Sequence, residues 1–329
     1  MDTLPLPPHP DLAQYRKRAK ELVQVAREDA VRTWTEDWLE TLLRLRDETP
    51  SPFVRRSYER AVDEIEHRSR QAGGKLKLAD AQFAVARAHG FKTWRDFSDH
   101  VERLSHGKPD RFESAADAIV TGDLARLESL LGANPDLVRT RSSREHRALL
   151  LHYVAANGVE DFRQLTPPNA VDIAKTLLES GAEVDALANT YGGGPAQTTL
   201  NLLVSSSHPA LAGLQPALVE TLLDHGAAVN GLEDDGSPLM TALAFGYVEA
   251  AETLVRRGAR IDNLVAAAAL GRVDLVRRML DEDEAVRPSL VALSWLGLSS
   301  DPQSHRERAR KLASDNGHRE IVELLTEYG

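Results

Sequence analysis

The feature that most constrains this chain is a short segment that recurs in its second half. The pattern Leu-Leu-x-x-Gly-Ala occupies residues 177–182 and again 222–227, and a variant ends at Gly258-Ala259. The closing glycines Gly181, Gly226 and Gly258 are 45 and 32 residues apart. Recurrence at a period of about 20–50 residues predicts a row of small units that bury their apolar faces against their neighbours.

The clearest unit covers residues 236–262 and predicts two short helices. Ser237 is suited to cap the first helix, and Pro238 has the fixed backbone angle of a first helical turn. Gly246 lets the chain reverse into the second helix. Gly258 suits the left-handed position that commonly ends a helix. The unit is therefore expected to be a helix pair.

This unit resembles the ankyrin repeat, whose first helix begins T-P-L-H-x-A-A and whose second helix ends L-L-x-x-G-A. Looser copies at 115–131, 264–280 and 309–325 bring the expected number to about six across 111–329. The resemblance implies an all-α fold, an ankyrin-repeat solenoid in which some repeats carry insertions. An N-terminal helical domain is expected to precede it.

Two stretches resemble bacterial ankyrin-repeat proteins more narrowly. Residues 78–94 are similar to a helical segment of the form LADAQ…AR.HGF.SW that precedes ankyrin repeats in many bacterial proteins. Residues 150–158 resemble an LLHYVAANG-type repeat. Neither resemblance implies a catalytic activity, so both supply a fold and no chemistry.

The distribution of charge suggests where the two domains meet. Residues 1–110 carry a net charge of +1 and residues 111–329 a net charge of −11. The step coincides with a polar break at 105–110 that contains Gly107 and Pro109. We therefore expect an N-terminal helical domain at 1–108 and an ankyrin-repeat domain at 109–329.

The composition excludes several classes of protein. There is no cysteine, which excludes a disulfide scaffold, a thiolate metal site and a thiol nucleophile. The net charge of −10 argues against a general nucleic-acid binder. No leader or membrane-spanning stretch is evident, so a cytoplasmic protein without a membrane or nucleic-acid partner is expected. A monomer is favoured.

Three departures from the repeat period mark places where function would be built. Ten residues, 159–168, separate the two helices of the second repeat, and 207–216 do so in the third. Residues 187–197, with three successive glycines, lengthen the finger between these repeats. Long insertions in a regular array are often functional, although these could also buttress the N-terminal helices.

The favoured hypothesis is a non-catalytic scaffold that binds a protein, and more specifically a basic one, through its concave face and finger tips. The candidate contact residues at the finger tips are Asn189, Tyr191, Glu233, Asp234 and Asp235. Tyrosine is a large anchor with little conformational entropy to lose, and the acidic side chains favour a cationic surface. Ordinary turn chemistry would also explain the Asp-Gly pair at 235–236.

The alternative hypothesis is a small-molecule-binding protein or enzyme with a pocket formed by the paired insertions. The candidate lining residues are His152, Tyr153, Asn157, Glu160, Thr198 and His208, of which His152, His208 and Glu160 would be catalytic. His152 stands at the ankyrin histidine position, where a purely structural hydrogen bond is the usual role. Neither histidine belongs to a metal-binding spacing, and neither a metal nor a cofactor is expected.

Overall fold

The structure, a computed structural model, describes residues 4, 6–7, 10–26, 30–34, 36–38, 67, 71, 76–105, 110–189, 195–281 and 302–327. Over these residues the protein is all-α, with turns and loops between helices, no strand, and an isolated β-bridge between Ala188 and Gln197. No helix in this part of the chain is both long and apolar enough to span a bilayer.

The chain divides into two compact units. Unit 1 comprises Met1–Pro167, Glu179–Ala182 and Leu187–Gln197, and unit 2 comprises Pro168–Leu178, Glu183–Ala186 and Thr198–Gly329. Residues on both sides of the expected boundary after residue 108 belong to unit 1. Residues 106–109 lie outside the described residues, so a domain boundary there stays a prediction.

Unit 1 begins with helices whose starts follow from their capping residues. Its α-helices are α1 (Leu12–Val25), α2 (Leu78–Ala88), α3 (Trp94–Ser105), α4 (Arg111–Thr121) and α5 (Leu124–Ala133). Three 3₁₀ helices follow at Pro135–Arg139, Leu150–Ala155 and Asp161–Arg163. The N–H of Ala13 donates to Asp11 Oδ1 over 2.9 Å, so Asp11 caps α1.

The N-terminal part of unit 1 has an aromatic core. The Tyr15 and Phe97 rings meet edge to face with centroids 5.0 Å apart, and the His89 ring stacks on Phe97 at 5.3 Å. His89 Nδ1 lies 2.8 Å from the carbonyl oxygen of Leu4, and the N–H of Leu4 donates to Ala88 O over 2.6 Å. The aromatic contacts hold α1, α2 and α3 together, and the two hydrogen bonds hold Leu4 against the end of α2.

Unit 2 consists of short helices that contact one another in pairs. They are α6 (Ala170–Glu179), α7 (Thr199–Leu203), α8 (Ser207–Leu211), α9 (Gln215–Asp224), α10 (Ser237–Ala244), α11 (Val248–Arg256), α12 (Leu264–Ala269), α13 (Val273–Asp281), α14 (Pro302–Asp315) and α15 (Arg319–Glu327). Helix α10 contacts α11, α12 contacts α13, and α14 contacts α15. The α7/α9 pair touches the α10/α11 pair through both members, because α7 contacts α10 while α9 contacts α11. The α12/α13 pair touches the α14/α15 pair in the same way, through α12 with α14 and α13 with α15.

Small aliphatic side chains make this close packing possible. All six residues of α12, Leu264 to Ala269, are buried, and four of them are alanines. The methyl side chains of the four alanines let neighbouring helices approach closely. The small aromatic fraction of the sequence, 5%, fits a core filled in this way.

The structure differs from the sequence-based expectation in three local details. The first helix of the second expected repeat, Leu150–Ala155, is a 3₁₀ helix, in which residues three apart share one face. The expected insertion at 207–216 contains a helix of its own, α8. Ser237 does not cap α10, because Gly236 occupies the capping position. The N–H of Ser237 donates to Asp235 Oδ1 over 2.9 Å instead.

Candidate functional site

The structure brings two of the candidate pocket residues together in unit 1. The hydroxyl of Tyr153 donates to Glu160 Oε1 over 3.4 Å, and both side chains are fully buried. Tyr153 comes from the 3₁₀ helix Leu150–Ala155, and Glu160 directly precedes the next one, Asp161–Arg163. The segment 159–168 therefore folds back onto the 3₁₀ helix Leu150–Ala155, with Glu160 inside the protein.

Around Glu160 lies a group of four buried charged residues that we call the ionic cluster. It consists of Glu113, Arg144, Glu160 and Arg163. Each arginine binds both carboxylates. Glu113 Oε2 lies 2.9 Å from Arg144 Nη2 and 2.6 Å from Arg163 Nη1, and Arg163 Nη1 lies 3.2 Å from Glu160 Oε1. Arg144 Nε also donates to Glu160, so the four formal charges cancel.

Each arginine of the cluster is fixed by further contacts. Arg144 Nη1 donates to the carbonyl oxygen of His89 over 3.0 Å, and its guanidinium lies 5.3 Å from the centre of the Phe91 ring. Arg163 Nε donates to Asp117 Oδ1 over 2.9 Å, and its guanidinium lies 5.3 Å from the Phe162 ring. Aromatic faces attract a buried cation, so these rings add to the stabilisation.

The electrostatics keep all four groups ionised. Burial alone would raise the pKa of the Glu113 and Glu160 carboxyls, but the attraction of Arg144 and Arg163 outweighs it and holds both pKa values well below their usual range. The pKa of Arg144 and of Arg163 is raised, because both carboxylates outweigh the cost of burial. Charges paired in this way have a structural role. A catalytic acid or base, by contrast, needs a pKa near the working pH.

The remaining pocket candidates have local roles. His152 is fully buried, and its Nδ1 accepts the N–H of Leu149 over 3.2 Å. Asn157 Oδ1 accepts the N–H of Gly158 over 2.8 Å. In unit 2, Thr198 caps α7 by accepting the N–H of Asn201 over 3.2 Å, and His208 lies half-buried on α8.

The three acidic candidates, which lie in the finger of unit 2 at residues 229–236, differ in their contacts. Asp234 Oδ1 lies 2.7 Å from Arg260 Nη1, and this hydrogen bond to Arg260 lowers the pKa of the Asp234 carboxyl. Asp235 accepts the N–H of Ser237, as described above. Glu233 is exposed, and so is its neighbour Leu232, with 48% of its surface accessible. The finger tip thus offers an apolar and an acidic side chain side by side.

In the finger of unit 1, Asn189 is exposed and its N–H donates to the carbonyl oxygen of His146 over 2.7 Å. Leu187, two residues earlier, is 42% exposed. The candidate anchor Tyr191 lies outside the described residues.

Sequence reasoning missed most of the ionic cluster and one exposed apolar residue. A signal for the first was available, since Glu113 lies between apolar positions of α4 that face the core, Phe112 and Ala115. The second is Leu211 on α8, of which 88% is exposed. Its signal is the absence of Asp, Glu, Lys and Arg from residues 186–219, in a chain with 27% charged residues.

Within the described residues, no group of three or more histidine, aspartate and glutamate side chains is arranged to hold a metal ion. No protein-family model matches the chain, and no curated protein is significantly similar to it.

Proposed function

We propose that this chain is a non-catalytic scaffold that binds another protein, and that its helix pairs form an ankyrin-type solenoid of about six repeats. The contacts within and between the pairs of unit 2 support the proposal. So do the turns at Gly246, Gly271 and Gly317, which all have a positive φ and all follow the first helix of a pair. Stacked pairs of this kind make a rigid, extended surface for recognition.

The observation that carries the proposal is the preformed finger at 229–236. Its tip is closed by hydrogen bonds from Gly236 N to Asn230 O over 2.8 Å and from Asp234 N to Gly231 O over 3.1 Å. Asn230 Oδ1 also accepts the N–H of Arg260 over 3.0 Å. A loop that is already ordered loses little conformational entropy on binding, which favours its use as a recognition surface.

We propose a partner with a basic surface next to an apolar one. Leu232 would supply the apolar contact and Glu233 the charge, while Asp234 would first have to release Arg260. Asn189 and Tyr191 stay proposed contacts of the preceding finger. The net charge of −11 over residues 111–329 would accelerate the encounter with a cationic partner at low salt.

The contacts of the first insertion argue against the alternative hypothesis, an enzyme or small-molecule-binding protein. Tyr153 and Glu160 are fully buried and bonded to each other, and Glu160 is neutralised by two arginines. A substrate-binding pocket instead presents a few polar groups to an open cavity. These side chains support the third possibility raised by the sequence, a structural buttress.

The experiment compares the proteins captured from the native host by the full chain and by a Leu232→Ala/Glu233→Ala variant. Glu249→Ala, which removes an exposed acidic side chain on α11, is the matched control. We expect a protein that is retained by the control and lost by the finger variant. With that protein purified, calorimetry should give at least about a tenfold weaker affinity for the finger variant. If every captured protein binds all three baits equally, the proposal is wrong.

A further inference from the structure

A second exposed surface of unit 2 lies at the turns that follow the first helices of two neighbouring pairs. We call residues 207–214 and 245–247 the turn edge. Helix α7 contacts α10 and α9 contacts α11, so the two pairs stack in the same orientation. The turn after α7 and the turn after α10 therefore lie at the same end of the stack.

The turn edge is apolar where it is most exposed. Leu211 is 88% exposed and Phe245 is 45% exposed. The Phe245 ring stacks on that of Tyr247, with centroids 6.2 Å apart and planes 11° from parallel. A single exposed leucine would be unremarkable. Here several apolar side chains are exposed at the same edge of the stack, and exposed apolar surface of this kind can mark an interaction site.

The inserted turn holds Leu211 in a fixed position. Gln215 is buried, and its Nε2 donates to the carbonyl oxygens of Leu203 and Ser206 over 2.8 and 3.2 Å. The N–H of Leu214 donates to Pro209 O over 3.0 Å, which closes the turn behind α8. Hydrogen bonds at the base of the insertion thus hold it in place, while Leu211 at its tip contributes an apolar side chain to the surface.

The turn edge also lacks formal charge. Residues 186–219 and 236–248 contain no Asp, Glu, Lys or Arg, and burial lowers the pKa of His208, so this ring is neutral near pH 7. The uncharged region ends at the next turn along the stack, which carries Arg272. Arg272 Nη2 lies 2.6 Å from Glu252 Oε2. Burying the turn edge would therefore desolvate no ionised side chain of its own residues.

We propose that the turn edge is a self-association surface, through which a second copy of this chain docks edge to edge about a two-fold axis. The chain carries a net charge of −10, so two copies repel each other over their charged faces. An uncharged edge is where they can meet without bringing like charges together. A two-fold contact places the same patch on both sides, which an uncharged apolar patch satisfies. This departs from the sequence-based expectation of a monomer, and it does not depend on the proposed finger contact.

The apolar area of the turn edge is small beside the roughly 800 Å² per partner of a stable interface, so the dimer is expected to be weak. Sedimentation equilibrium of the full chain from about 5 to 500 µM should show an average mass that rises from one copy towards two. Association should strengthen between about 50 and 500 mM NaCl, because salt screens the repulsion between the copies.

Leu211→Glu should abolish the concentration dependence, because two carboxylates would face each other across the axis. Leu232→Glu makes the same change at the finger tip, away from the turn edge, and should leave the association unchanged. A constant monomer mass for the unaltered chain overturns the proposal. So does an equal loss in both variants, or association that survives Leu211→Glu. None of these outcomes bears on the capture experiment, which tests the finger separately.

Discussion

At the scale of single residues, the ionic cluster of unit 1 combines a high cost of burial with a close balance of charge. Its four residues are at most 8% exposed, so each charge would be expensive to bury alone. The alternation of Glu113, Arg144, Glu160 and Arg163 gives every charge two opposite neighbours. The cluster therefore stabilises unit 1 only while it is complete.

Arg163→Met should test this balance most directly. The change keeps the apolar stem and leaves two carboxylates facing one arginine, so we expect a loss of about 3–5 kcal/mol in the free energy of unfolding. Urea unfolding followed by tryptophan fluorescence measures it, because three of the four tryptophans, Trp34, Trp38 and Trp94, belong to unit 1.

The control for Arg163→Met is Arg256→Met, which breaks an exposed ion pair with Glu220. Its effect should stay below about 1 kcal/mol. The double variant Arg163→Met/Glu160→Gln should lose less free energy of unfolding than the sum of the two single variants, because both residues belong to one network. Strictly additive losses would contradict the idea of a coupled cluster.

At the scale of elements, the turns between paired helices are not equivalent. Gly246 and Gly271 have similar positive φ values of 78° and 69°. A Cβ at Gly246 would meet nothing within 4 Å, whereas one at Gly271 would lie 2.7 Å from His318 Cε1. The same turn thus has open space in one pair and a close neighbour from the next pair in the other.

Gly246→Ala should cost about 1–2 kcal/mol, the strain of a left-handed alanine. Gly271→Ala should cost about 1–2 kcal/mol more, because the ring must move and the contact of His318 Nε2 with Ala269 O, at 3.1 Å, is lost. Chemical unfolding followed by far-ultraviolet circular dichroism compares the two. Equal losses would mean that the turns do not pack as described.

Local patterns predicted the elements better than they predicted the site. The helical period and capping residues such as Asp11 indicate where helices begin, because these signals lie within one turn of the chain. The ionic cluster joins Glu113 to residues 31 and 50 positions away. No local period encodes such pairs, so the buried role of the first insertion emerges only when the chain is folded.

At the scale of the whole molecule, the two units differ in what they bury. The core of unit 2 is largely aliphatic, as α12 illustrates. Unit 2 buries His305, whereas unit 1 buries a larger set of ionisable groups that includes the ionic cluster. Burial is the main cause that lowers the pKa of His89 to about 3 and of His100 to about 4. The hydrogen bond to Leu4 O favours the charged form of the His89 ring, but burial and the positive charge of Arg144 outweigh it.

Acid should therefore weaken unit 1 well before its carboxylates are protonated. An unfolded histidine takes up a proton near pH 6.5, whereas the folded ring does so only near pH 3–4. The stability that each neutral ring provides is complete above about pH 6.5 and falls as the pH drops, with the unfolding constant rising up to about tenfold per pH unit for each histidine. Urea midpoints followed by tryptophan fluorescence from about pH 7.5 to 4.5 measure this slope.

His89→Gln keeps an amide donor for Leu4 O but cannot titrate. It should therefore reduce the slope of the free energy of unfolding against pH by the equivalent of about one proton. His225→Gln, at an exposed position of unit 2, should leave the slope unchanged. Below about pH 4.5 the loss should steepen, because Glu113 and Glu160 have folded pKa values below their unfolded ones and their contribution disappears as they protonate. A midpoint that stays constant down to pH 4.5 would mean that these rings titrate freely, and the aromatic core around His89 would then have to be open to water.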